Sequence, residues 1–363
     1  MPQRLLTRIQ ARSALRAHLS ADETVVLFPG LGHLEPDGSH WHVPIHGEVF
    51  ANGRQVGLGK RFLLKMLQRA MKVPESAFQT DLFRQRIARF LAADCRGRQI
   101  TVRLGEGLQV LTKKSRRNGH FFGSLRLPAE VAPGPDPSDC GGAARVMLEI
   151  HGRGEEVPAI RGKAYLLPAT GLSVISDIDD TLKHSYVACK RTLLANTFLR
   201  RYEAIAGMSD LFRQWAAKGA AFHYVSSSPW QLYGHLADHL AQEGFPDGSF
   251  HLRAFRLRDH LMRRLLMLRR SGKAAVIRGI LQTFPQRRFV LVGDSGEIDP
   301  EIYGVLARRF PQQVAGIYIR QIEGPGDTPA RYQHALRGVP YEVVRLFHTA
   351  EELQDVRLEL PLK

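Results

Sequence analysis

The chain has 363 residues, of which 44% are hydrophobic and 24% charged, and a formal net charge of +16. That length suits two domains and a core that needs no covalent staples, and the positive excess favours anionic partners such as nucleic acid, a membrane surface or phosphorylated substrates. The three cysteines, Cys95, Cys140 and Cys189, show no C-x-x-C spacing, which argues against a disulfide framework and a structural zinc site and fits a reducing compartment.

The first twenty residues are arginine-rich and contain no unbroken apolar region. They read as a solvated helix rather than a secretory signal. No window approaches eighteen uninterrupted apolar residues, so no bilayer span is expected. From about residue 22 to 50, "TVVLFPG" and "HWHVPIHGEVF" read as strands with Pro and Gly between them. His40, His42 and His46 alternate along the second of these, a pattern commoner for surface or core histidines than for ligands. "KRFLLKMLQRAMKVPESAFQTDLFRQRIARFLAA" then recurs at helical spacing, broken by Pro74. "RQITVRL", "HFFGSLRLP" and "RVMLEIHG" are three further strand-like runs, and "APGPDPSDCGG" between the last two is an exposed loop by composition. Residues 1–164 are therefore expected to form a β-rich, sandwich-like domain with a helical insertion.

From about Gly171 the texture changes. "LSVISDID", "AAFHYVSSS", "HLRAFRL", "RFVLVGDSG" and "QVAGIYI" are apolar throughout, as buried parallel strands are, and helical patterns such as "SDLFRQWAAKG", "WQLYGHLADHLAQEG" and "GKAAVIRGILQTFP" alternate with them. This predicts an α/β domain over 165–363 with a doubly wound parallel sheet.

Ligands of such sheets bind beyond the carboxyl ends of the strands, so what ends each strand matters. "SVIS" runs into Asp177, Asp179, Asp180 and Thr181. "FHYV" runs into Ser226, Ser227 and Ser228. "RFVLV" runs into Gly293, Asp294, Glu297 and Asp299, and Lys273 opens the helix before it. Carboxylates crowded this way suit phosphoryl transfer through an aspartyl-phosphate with Mg²⁺. Asp177 and Asp294 are the expected metal ligands, with the backbone carbonyl of Asp179. Asp177 is the expected nucleophile and Asp179 the general acid and then base. Ser226 and Lys273 would hold the phosphoryl group. Thr181, Glu297 and Asp299 would support the site, the last two by holding metal-bound water or steadying Lys273. Asp180 reads as a residue that orients its loop, Ser227 and Ser228 as turn residues before Pro229, Trp230 and Tyr233 as packing residues, and Glu301 as a favourable charge at a helix start.

The run "DIDDT", a strand-ending serine, a lysine and "GDSGEID" match the four motifs of the haloacid dehalogenase superfamily of phosphohydrolases. More narrowly, "SDIDDTLKHS", "YVSSSPWQLY", "VLVGDSGEIDPEIYG" and "AGIYIR", over roughly residues 165–325, resemble the catalytic domain of the actin-patch-type phosphatidate phosphatases, distant relatives of the lipins. The resemblance implies a haloacid dehalogenase-like fold and Mg²⁺-dependent hydrolysis of phosphatidic acid to diacylglycerol.

Neither gap between motifs is long enough for a full cap domain, which suits a phosphate presented on a large surface. Seven arginines lie between Arg253 and Arg270. Arg253, Arg256, Arg258, Arg263 and Arg264 are candidate lipid or phosphate contacts, since basic groups near an anionic leaflet add roughly 1 kcal/mol each. The equal alternative is a solvated helix face whose leucines enter the core. The expected partner is an anionic phospholipid substrate or membrane surface, in a cytoplasmic protein whose peripheral contact with the inner face of a membrane is left open. Two other readings compete: a polynucleotide end phosphatase, disfavoured by the scarcity of stacking aromatics in the basic strip, and a non-catalytic phosphatidate-binding module, disfavoured by the intact Asp179.

Overall fold

The structure is a computed structural model that describes residues 19–20, 22–51, 57–105, 107–134, 143–150, 159–254, 270–324 and 327–356. They fall into two compact units, the first drawn from residues 19–51, 92–134 and 143–168 and the second from 57–91 and 169–356.

The first unit is β-rich. Its strands are β1 (Glu23–Phe28), β2 (Gly30–Leu34), β3 (His40–Ala51), β4 (Ala93–Asp94), β5 (Thr101–Leu104), β6 (Leu108–Leu111), β7 (His120–Pro128), β8 (Ala144–Ile150) and β9 (Ile160–Leu167). The long β3 organises them. Along one edge it pairs with β1 and β2, and along the other with β7 and β4. The β2–β9 pairing is parallel, and β9–β8–β5–β6 continue antiparallel, so the sheet is mixed. Period-two alternation buries Val43, Ile45 and Val49 of β3 against Val25, Leu27, Phe121, Leu125, Leu148 and Leu166. The histidines of β3 meet neighbours within this unit. His46 Nε2 lies 2.9 Å from His120 Nδ1, and His40 lies beside Ser39.

The second unit contains α1 (Gly57–Met71) and α2 (Asp81–Leu91), interrupted after Pro74 by a single 3₁₀ turn, Glu75–Gln79. Phe83, Ile87, Phe90 and Leu91 repeat at helical spacing and are buried, with Asp81 in the first turn of α2. The remaining elements alternate: β10 (Leu172–Ser176), α3 (Lys190–Phe198), α4 (Met208–Ala217), β11 (Ala220–Pro229), α5 (Tyr233–Gln242), β12 (Gly248–Arg253), α6 (Arg270–Thr283), β13 (Arg288–Asp294), α7 (Asp299–Arg309), β14 (Val314–Arg320), α8 (Pro329–Ala335) and β15 (Val344–Phe347). The strand order is β12-β11-β10-β13-β14-β15, and every pair is parallel. All five residues of β10 are buried, as a strand inside a covered parallel sheet requires. A polar ladder crosses three strands. His223 of β11 lies 3.0 Å from Ser173 of β10 and 2.9 Å from Ser249 of β12, and His251 lies 3.0 Å from Ser249.

The helical insertion, read in the sequence as part of the N-terminal domain, folds with the second unit. The Phe83 and Phe90 rings of α2 sit 6.4 and 5.4 Å from the Phe198 ring of α3. Buried Arg86 donates to the carbonyls of Asn196 (3.1 Å), Thr197 (2.8 Å) and Arg200 (2.5 Å), at the helix end where such groups lack intrahelical donors. Arg191 Nε donates to the Met71 carbonyl at 2.8 Å.

Of the basic strip, Arg253 ends β12 and is half-buried, while Arg256, Arg258, Arg263 and Arg264 lie outside the described residues. Most of the predicted loop between β7 and β8 also lies outside them.

Candidate active site

Strand register brings the motif residues together. Ser176, the last residue of β10, pairs with Val292 of β13 and Tyr224 of β11. The next residues along each strand therefore pass the same edge of the sheet: Asp177 and Asp179, Asp294, and Ser226. Asp177 continues the ladder by donating its N–H to the Val292 carbonyl at 2.9 Å.

Lys273, from α6, reaches into this edge. Its Nζ lies 2.5 Å from Asp299 Oδ1, 3.0 Å from Asp177 Oδ1 and 4.0 Å from Glu297 Oε2. One carboxylate oxygen from each of Asp177, Asp294 and Asp299 lies within 4.8 Å of the other two, and all three residues are buried. Their environments differ. Asp299 accepts from Lys273 through Oδ1, while its Oδ2 faces the Asp294 N–H at 3.4 Å and the Tyr303 hydroxyl at 3.5 Å. Gly293 permits this approach: a Cβ there would stand 2.8 Å from Asp299 Cγ. Asp294 Oδ1 accepts from the N–H groups of Gly296 (2.6 Å) and Glu297 (3.0 Å). Asp294 Oδ2 and both oxygens of Asp177 have no hydrogen-bond partner among the described residues, and the Lys273 contact with Asp177 is an ion pair without hydrogen-bond alignment.

Buried acceptors left this way are costly. Burial pushes the Asp177 carboxyl well above the ordinary carboxylate range. Lys273 opposes that shift, and the nearby Asp299, Glu297 and Asp294 add to it. Asp294 is raised for the same reason, burial first and then Asp299 and Glu297. Glu297 is pushed up to about 7, again chiefly by burial. Burial works against the Lys273 charge, but Asp177 and Asp299 outweigh it and keep the ammonium protonated. An all-oxygen set with orphaned carboxylate atoms and excess negative charge fits a hard divalent cation such as Mg²⁺.

The side chain of Asp179 points elsewhere. Its Oδ1 accepts from Lys183 Nζ and Ser185 Oγ, each at 2.7 Å, and its Oδ2 from Ser226 Oγ at 3.0 Å and Ser228 Oγ at 2.9 Å. Burial alone would raise its pKa, but Lys183 and these hydrogen bonds hold it well below the usual range. Ser226, expected to face a phosphate oxygen, thus donates to Asp179. Ser228, read as a turn residue, does the same.

The loop geometry explains the arrangement. Asp180 has a φ of 54°, and its carboxylate accepts from three N–H groups, Ser185 and Tyr186 through Oδ1 and Val187 through Oδ2. This turn folds residues 183–185 back onto Asp179. Arg320 adds a hydrogen bond to the Asp180 carbonyl at 2.9 Å. Thr181 is fully buried, and its hydroxyl has no partner among the described residues.

Sequence reasoning did not find Lys183, Ser185 or Arg331. Arg331, on α8, donates to the carbonyls of Ser295 and Glu297 and makes a two-pronged ion pair with Glu301 at 2.8 and 2.9 Å. It thereby braces the loop after β13 that carries Asp294. Glu301, read as a helix-start charge, also serves as this arginine's anchor.

Residues 172–321 match the family model described as "Phosphatidate phosphatase APP1, catalytic domain". This segment is thus similar to the catalytic domain of that family. An uncharacterized protein of Schizosaccharomyces pombe is 32% identical over 186 residues, which is 49% of this chain and 29% of that protein. Phosphatidate phosphatase APP1 of Saccharomyces cerevisiae is 31% identical over 195 residues, 52% of this chain and 32% of that protein. The chain thus spans about a third of the length of these curated relatives. A crystal structure of a ferredoxin-NADP+ reductase mutant from Plasmodium falciparum aligns over 85% of this chain and 98% of that one at 10% identity, with a TM-score of 0.16, too low to bear on the fold.

Proposed function

We propose that the chain is a Mg²⁺-dependent phosphatidate phosphatase of haloacid dehalogenase type, acting through an aspartyl-phosphate. The observation that carries this reading is the convergence of Asp177, Asp294, Asp299 and Lys273 beyond neighbouring parallel strands, within the segment similar to phosphatidate phosphatase catalytic domains. The reversal of strand order about β10 is what a doubly wound sheet of that type requires.

Asp177, Asp294 and Asp299 would hold Mg²⁺, which supplies Lewis-acid stabilisation of the phosphoryl oxygens and offsets the carboxylate charge. An Asp177 oxygen attacks phosphorus as the bond to the lipid oxygen breaks. Protonated Asp179 gives its proton to that leaving oxygen, releasing diacylglycerol. The resting Asp179 is ionised, so its proton enters with the monoanion of the substrate. The resulting carboxylate, held by Lys183, takes a proton from water as the water oxygen attacks phosphorus. The bond to Asp177 breaks, and inorganic phosphate leaves. Lys273 keeps its charge throughout and orients Asp177.

Among the described residues no helix is long and apolar enough to cross a membrane. A cytoplasmic protein that reaches lipid through a basic surface accords with the net charge of +16.

The test is phosphate release with Mg²⁺ from phosphatidate in mixed micelles, compared with release from a 3′-phosphorylated oligonucleotide. Release from the lipid, lost with chelator and in Asp177→Asn while the circular dichroism spectrum is unchanged, supports the reading. Preferential release from the oligonucleotide makes the enzyme a polynucleotide phosphatase. Near-normal turnover by Asp177→Asn refutes the nucleophile.

A further inference from the structure

A cavity of about 70 Å³ opens beside Asp179. It is lined by Asp179 and Ser228 and by a mostly apolar wall of Leu193, Leu194 and Phe198 of α3, Leu232 after β11, and Phe90 of α2. Thr197, Ser227, Arg253 and Glu297 also line it. Asp177, Asp294 and Lys273 do not line it. The cavity therefore lies on the side of the site where the proton donor stands rather than on the side of the nucleophile. In an in-line displacement the leaving oxygen and its substituent point away from the attacking atom. Whatever is bonded to that oxygen is directed toward Asp179 and into this space.

We infer that the cavity receives the apolar part of the leaving alcohol, and that α2, which lies outside the segment matching the family model, is a specificity element of the site. This rests on the phosphatase reading above. Three features support it. The walls are mostly apolar, with Asp179 and Ser228 available where the ester oxygen would sit and a minority of other polar residues, a mixture usual in ligand sites. The size admits a few carbons of a chain, one water occupying about 30 Å³ in the liquid. And α2 is fixed in place rather than loosely apposed: Phe90 packs on Phe198 at 5.4 Å, and Arg86 ties α2 to the last carbonyls of α3, the helix that supplies most of the wall.

The experiment measures binding, so that it does not depend on turnover. The full chain with Mg²⁺ is titrated calorimetrically with a series from methylphosphonate to octylphosphonate, which carry the phosphoryl mimic but cannot be hydrolysed. Affinity should climb by roughly three- to fourfold for each of the first few added carbons and then level off, the fold-change expected for burying a methylene. Phe90→Ala and Leu193→Gln should each lower the ratio of octyl to methyl affinity by about tenfold, the scale of a lost apolar contact. Leu193 is only half-buried, so that variant carries the test if Phe90→Ala does not fold. A flat series in the parent protein, or an unchanged ratio in the folded variants, overturns the inference. Phosphate release from octyl phosphate, run alongside, separates the two readings. A climbing series without release from either octyl phosphate or phosphatidate refutes the phosphatase and leaves only an apolar ligand cavity, whereas release with a flat series overturns the cavity assignment alone.

Discussion

Asp179 is held as a carboxylate by a lysine four residues along the chain, and both side chains are buried. Lys183 is 2% exposed and Asp179 6%. Removing one member of a buried pair leaves the other as an uncompensated charge, which costs about 3–5 kcal/mol. Lys183→Met should therefore lower the unfolding free energy in urea by about that amount, and Lys183→Met with Asp179→Asn should recover most of it. A single variant within about 1 kcal/mol of the parent would show that the pair does not hold the loop. The sequence displayed Asp177 and Asp294 because a carboxylate directly after an apolar run is a local signal. It did not display the partners of Asp179. Their contact depends on the left-handed turn at Asp180, and spacing in a loop does not reveal direction. The i,i+4 relation of Asp179 and Lys183 was the one available hint, and outside a helix it carries no geometry.

Elements hold the site through contacts distant in sequence. Arg331 on α8 braces the carbonyls of Ser295 and Glu297, so it acts on the proposed metal ligand Asp294 through the loop rather than directly. Arg331→Met should weaken Mg²⁺ affinity by about 10- to 100-fold, the usual effect of removing support behind a ligand, while leaving turnover at saturating Mg²⁺ close to normal. A Mg²⁺ titration of activity checks both parts, and an unchanged half-saturation point would assign Arg331 to folding alone. Nothing in the sequence links this arginine to "GDSGEID", because the contact requires α7 and α8 to be packed first. The ladder across β10, β11 and β12 has its own consequence. Burial pushes His251 down to about 4 and holds His223 well below its ordinary value, with His251 and Arg287 adding to the latter. In the folded state these rings stay neutral, while the unfolded chain takes up protons below about 6.5. Stability from this source is intact above that pH and falls as pH drops toward 4. His251→Gln should narrow the loss of melting temperature between pH 7 and pH 4.5 by about 2–4 °C for each kcal/mol relieved. Equal losses in both proteins would place the ladder outside the acid response. Apolar strands β10, β13 and β14 were readable because burial on both faces makes them continuous. β2, β6, β9 and β15 were not: β2, β6 and β15 are only four or five residues long, and β9 is interrupted by Gly162 and carries Arg161 and Lys163 in its first half.

At the scale of the molecule, the sequence reading placed a boundary near residue 165 and assigned the helical insertion to the domain before it. An amphipathic pattern states that a helix buries one face but not against what. Here Phe83, Arg86 and Phe90 bury theirs on α3. A fragment of residues 165–363 should therefore melt several degrees below the same fragment preceded by residues 57–91 on a flexible linker, given the loss of two aromatic contacts and three capped carbonyls. Identical melting would mean that the insertion contributes nothing to this unit. The route of the chain also limits how such a protein can be recombined. A chimera made at one breakpoint near 165 would join strands from one parent to an α1–α2 pair from another, so that the surfaces of α2 and α3 would no longer have been selected together. Only an exchange with further crossovers, one on each side of residues 57–91, moves this unit between parents intact.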